Sequence, residues 1–87
     1  LDDIDHHTTV LILGDARSNY GYAGLRELRQ IHERARRVIW LNPESRGFWT
    51  VGDSEMPRLS TACDRVDTCR TLRHLERVIG ELMRTAV

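Results

Sequence analysis

Val10, Leu11, Ile12 and Leu13 form an unbroken apolar run. Successive strand residues face opposite sides, so Val10 and Ile12 point one way and Leu11 and Leu13 the other. Both faces then want burial, as in a central parallel strand. Thr8 to Leu13 is therefore read as the first strand. Arg37 to Leu41 repeats the pattern in Val38-Ile39-Trp40-Leu41, and Pro43 stops it because proline has no N–H to donate. Between them, Gly24 to Arg36 reads as a helix. Steps of about 100° per residue put Leu25, Leu28, Ile31 and Ala35 on one stripe. His32 falls inside that stripe, where a hydrogen-bonded histidine at the edge of a core is the favoured reading over a ligand. Arg26, Arg29, Glu33, Arg34 and Arg37 take the other face. Arg29 with Glu33, and Glu33 with Arg37, are i,i+4 pairs worth about 0.2–0.5 kcal/mol each. A third strand, Cys63 to Thr68, is centred on Val66 and mostly polar, which suits an edge. Thr71 to Thr85 closes the chain as a helix with Leu72, Leu75, Val78, Ile79, Leu82 and Met83 on one broad face. Thr71 is its candidate cap, or Thr68 one turn earlier, and His74 falls on its polar face, where exposure is expected.

Two stretches lie outside these elements. Leu1 to His7 is a polar leader holding Asp2, Asp3, Asp5, His6 and His7. A solvated segment is favoured there over a metal cluster. Ser45 to Ala62 is a long irregular connection, and such connections are usually functional or ordered by their own packing. Phe48, Trp49, Met56 and Leu59 supply that packing. The chain thus divides into a leader, 1–7, and one partial domain, 8–87. Strand, helix, strand forms a right-handed βαβ unit. The whole reads as βαβ-loop-βα, an α/β fold with a three-layer, doubly wound, mostly parallel sheet.

One mismatch follows. Right-handed crossovers advancing in one direction place their helices on the same face of the sheet. The first two strands are apolar on both faces, and the first has one edge with no partner in the sequence. The expectation is half of a larger doubly wound domain, with self-association through the open sheet edge or an uncovered face.

Composition narrows function mainly by exclusion. The chain has 87 residues, 40% hydrophobic and 30% charged, with a formal net charge of zero. One small domain is the most it can hold, and a zero balance gives no global pull toward nucleic acid or anionic membrane. All 13 basic residues are arginine, which rules out a phosphate-loop lysine and a Schiff-base lysine. Cys63 and Cys69 form no C-x-x-C pair and lack the partners of a zinc site. No apolar run approaches the roughly 20 residues of a membrane span. The acidic leader has no basic segment of a secretory signal, so a cytoplasmic location with reduced thiols is expected.

The candidate chemistry lies at Asp15. Gly14 permits a sharp exit from the first strand, and ligands of open α/β sheets bind just beyond the carboxyl ends of the strands. If the first two strands are parallel, Asn42 and Glu44 share that edge. An aspartyl nucleophile is one alternative, but phosphatases of that design carry D-x-D, which Ala16-Arg17 breaks. A nucleotide-binding half-domain is another. Gly21 and Gly24 do lie between strand and helix, but G-x-G-x-x-G is absent. Gly52-Asp53-Ser54 matches a tripeptide found in some lipases and esterases, without the strand before it or the D-x-x-H after it.

The segments LILGDARSNY, LRELRQIHERARRVIWLNPESRGFW, GDSEMPRLSTACDRV and TLRHLERV together resemble the C-terminal half of CoxE-like von Willebrand factor A (VWA) proteins, from about Thr8 to Val78. The resemblance implies a Rossmann-like, doubly wound VWA fold with a metal-ion-dependent adhesion site. In that family the site combines a D-x-S-x-S loop, a threonine and an aspartate after the fourth strand. Asp15 matches the last of these, and D-x-S-x-S is absent. Mg²⁺ or Mn²⁺ is therefore expected only with the missing N-terminal half. The resemblance further implies a non-enzymatic protein-binding module. Its partner would be a MoxR-type AAA+ ATPase acting in metalloenzyme maturation.

Overall fold

The computed structural model describes residues 3–17 and 24–85. Three strands form one parallel sheet: β1 (Thr9–Leu13), β2 (Arg37–Asn42) and β3 (Arg65–Thr68), in the spatial order β1-β2-β3. β1 pairs with β2 from Thr9↔Arg37 to Leu13↔Leu41, and β2 pairs with β3 from Ile39↔Arg65 to Asn42↔Thr68. The buried strand is β2, with Val38, Ile39, Trp40, Leu41 and Asn42 all in the interior. β1 has the same apolar pattern but forms an edge. Its residues are only partly buried, and Leu13 is 60% exposed. The open edge expected from the sequence is present. Among the described residues nothing pairs with the outer side of β1, which fits half of a larger doubly wound sheet.

α1 (Leu25–Arg34) connects β1 to β2. Its stripe of Leu25, Leu28, Ile31 and Ala35 packs against Val10, Ile12, Val38, Trp40 and Val66. His32 lies beside the stripe and places Nε2 3.1 Å from Asp64 Oδ1. The connection from β2 to β3 is more regular than its composition suggests. It holds short 3-10 turns at Arg46–Phe48 and Ser60–Ala62, and one helical turn, α2 (Met56–Leu59), opened by Pro57. Trp49, Met56, Leu59 and Ala62 insert into the same core as α1.

α3 (Leu72–Thr85) packs on the opposite face. Leu75, Val78 and Leu82 meet Leu11, Ile39, Leu41 and Cys69 there. Helices thus cover both faces of β2, where the handedness rule led us to expect one. The rule governs a helix lying between two parallel strands. No described strand follows α3, so the helix is free to return on the other side. Thr71 Oγ1 accepts the His74 N–H at 3.1 Å and caps α3 as expected. The His74 ring is half-buried rather than exposed and accepts a 3.4 Å bond from the Arg70 N–H. Only half of the α3 apolar face is used. Leu72 and Met83 are each 70% exposed, and Ile79 is exposed with them.

Candidate functional site at the carboxyl edge of the sheet

Parallel pairing brings the carboxyl ends of β1 and β2 side by side, and their exits are bonded together. The Gly14 N–H donates to Leu41 C=O at 3.1 Å, and Trp40 Nε1–H donates to Gly14 C=O at 2.8 Å. Asn42 is fully buried. Its Nδ2 donates to Asp15 C=O at 3.2 Å, and its Oδ1 accepts the Glu44 N–H at 2.8 Å. A buried amide is tolerable only when its polar atoms are paired. Asn42 therefore ties the backbone on which Asp15 sits to the turn that carries Glu44.

Asp15 itself is exposed. Its Oδ1 accepts the Arg17 N–H at 3.0 Å, turning the chain sharply after the strand. Ala16 between them has φ of 60°, a left-handed conformation that costs a residue with a Cβ roughly 1–2 kcal/mol. The Ala16 C=O accepts the Glu55 N–H at 2.8 Å, which helps to hold that conformation. No guanidinium among the described residues pairs with the Asp15 carboxylate.

A site residue that no sequence motif marks is Arg17. Its guanidinium donates to both Glu44 carboxylate oxygens, at 2.8 and 3.4 Å, and to Asp53 Oδ1 at 3.3 Å. It also donates to Phe48 C=O at 3.0 Å and to Val51 C=O. The side chain is 20% exposed. The hydrogen bond to Glu44, reinforced by the charge of Asp53, holds its pKa above the ordinary arginine value despite desolvation. Arg17 thus staples the loop after β1 onto the connection after β2. Arg46 adds a second tie, stacking 4.5 Å above the Trp49 ring and donating to Val66 C=O and Asp67.

The electrostatic result is selective. Arg17 pairs with Glu44 and Asp53, whereas among the described residues the exposed Asp15 carboxylate has no cation partner. Gly52-Asp53-Ser54 serves this clamp, with the Ser54 Oγ accepting the Met56 N–H at 3.3 Å. Ser18, Asn19 and Gly21 lie outside the described residues. In the leader, Asp5 accepts the His7 N–H and the Thr8 hydroxyl, so its carboxylate orders a turn; Asp2 lies outside the described residues. Among the described residues, no group of three or more His, Cys, Asp or Glu side chains is arranged to hold a metal ion. Mg²⁺ demands near-octahedral oxygen ligation, which one exposed carboxylate does not supply.

A family model described as "VWA domain containing CoxE-like protein" matches residues 2–78. The chain belongs to this VWA CoxE-like family. Three parallel strands with helices on both faces fit half of the Rossmann-like VWA fold. VWA domains mediate protein interactions. No curated protein and no solved structure matches the chain. No helix among the described residues is long and apolar enough to cross a membrane.

Proposed function

We propose that this chain is a non-catalytic protein-interaction module of the VWA CoxE-like type, with Asp15 as its recognition carboxylate. The supporting observation is the contrast at the carboxyl edge. Arg17 pairs with both Glu44 and Asp53, whereas among the described residues no cation pairs with the exposed Asp15 carboxylate. Such a carboxylate, with no base or lysine beside it, suits coordination better than bond breaking. Asp15 would supply one ligand of a divalent-ion site completed from outside the described residues. The partner in this reading is a MoxR-type AAA+ ATPase in metalloenzyme maturation.

Mn²⁺ titration of the protein carrying the whole domain tests the ligand. Asp15→Ala should abolish or strongly weaken binding, and an unchanged affinity removes Asp15 from the site. Co-purification with the ATPase tests the partner, and complex formation indifferent to Asp15→Ala would separate the two ideas.

A further inference from the structure

The polar face of α1 breaks a local rule. Arg26 stands in the first turn of the helix and Arg29 in the next. Both are near the positive end of the helix dipole, which favours acids over cations. Neither guanidinium has an ion-pair or hydrogen-bond partner among the described residues, and the Arg29–Glu33 pair that helical spacing allows is not made. Local rules broken without compensation gather at functional surfaces.

These side chains line a groove. α1 and the single turn of α2 pack into one core on one face of the sheet. Between them Leu25, Arg26, Arg29, Gln30, Glu33 and Arg58 border a space of roughly 620 Å³. Arg26, Arg29, Gln30 and Glu33 are exposed, and Leu25 is half-buried. Arg58 faces them from α2, bonded to Glu55 at 3.0 Å with its own side chain still 56% exposed. Three guanidinium groups thus share the groove with one lining carboxylate, in a chain of zero net charge. The groove also lies away from the edge where the sheet would continue. His32 reaches Asp64 at the entrance to β3, which points that side of α1 toward β3. Arg29 and Glu33 follow His32 around the helix by about 60° and 100°. The rest of a doubly wound sheet would add beyond β1, on the far flank of α1.

We propose that this groove docks an acidic helix of a partner protein, its carboxylates seated on Arg26, Arg29 and Arg58. The proposal rests on reading the chain as an interaction module, and not on the metal ligand. Charge sets the chemistry of the occupant. Each guanidinium fork matches a carboxylate through two parallel bonds. Spacing sets its shape. Residues 26, 29, 30 and 33 recur at i, i+3, i+4 and i+7, the rows against which a second helix packs. They span about 10 Å, two helical turns. The occupant then presents carboxylates one turn apart to Arg26 and Arg29, with an apolar residue above Leu25. Glu33 ends the basic stretch, and its charge opposes a continuous run of phosphates along the same path.

Fluorescence anisotropy of the protein carrying the whole domain tests this. The probe is a labelled helical peptide of Glu, Leu and Ala, about 15 residues long, with its glutamates along one face. Saturable binding that weakens with added salt is expected, with none for the same peptide carrying Gln for Glu. Arg26→Glu with Arg29→Glu should weaken binding roughly tenfold or more. Both sites are exposed, so circular dichroism should not change. The double variant should instead bind the peptide with Lys for Glu, a rescue that misfolding does not produce. No binding of the acidic peptide, binding unchanged by the double variant, or preference for oligothymidylate or phosphatidylserine vesicles overturns the proposal. Absence of peptide binding with Asp15-dependent Mn²⁺ binding intact sinks this proposal alone. Peptide binding with Mn²⁺ affinity indifferent to Asp15→Ala sinks only the ligand role of Asp15.

Discussion

Asn42 has no accessible surface and holds two chain exits together with one amide. Asn42→Ala leaves the Asp15 carbonyl and the Glu44 N–H without their partner. A buried group left unpaired costs about 1–3 kcal/mol, so urea denaturation should show a loss of that order. Arg17 works on the same edge from the solvent side. Arg17→Gln should leave the sheet intact but release the 44–55 connection, seen as faster amide exchange there and new proteolytic cuts. Asp64 links α1 to β2 through His32 and the Val38 N–H, the latter at 2.7 Å. Burial alone would raise its pKa. The Val38 N–H, the His32 ring and the Arg37 charge outweigh that and hold it below the ordinary carboxylate value. Its contribution to stability is therefore complete above about pH 4 and is lost as pH falls through the lowered value. Asp64→Asn should flatten that acid limb in a plot of stability against pH. Burial, with Asp64 adjacent, also pushes the Cys63 thiol up to about 11. At neutral pH its alkylation in the native chain should run at least roughly tenfold slower than in the unfolded chain, as mass spectrometry would show.

At the level of elements, the parts with a period were legible and the parts fixed by distant contacts were not. Three strands, two long helices and the α1 stripe follow from the spacing of apolar residues. Asn42 and Glu44 were placed beside Asp15 by the parallel pairing implied by β1-α1-β2. The Arg17 clamp had no such signal, because Glu44 and Asp53 lie 27 and 36 residues further along, in a connection without a period. The face chosen by α3 was also hidden, since handedness constrains only helices between paired strands. The α3 stripe shows a related limit. Its six apolar residues look equivalent in a helical projection, yet Leu75, Val78 and Leu82 are packed while Leu72, Ile79 and Met83 are not. Val78→Ala should therefore cost about 0.5–3 kcal/mol in thermal or urea unfolding, whereas Ile79→Ala should be nearly neutral in the monomer.

Across the whole molecule, β2 divides two apolar clusters of unequal size. The larger joins α1, α2 and the Trp49 connection; the smaller holds α3 by Leu75, Val78 and Leu82. Trp40 and Trp49 both belong to the larger, and no aromatic residue belongs to the smaller. Indole emission from this chain thus reports one side of the sheet and is blind to the other. If α3 detaches before the rest, far-ultraviolet circular dichroism will fall while emission still reads native. Two optical probes in one denaturant titration would then resolve the two sides without a label.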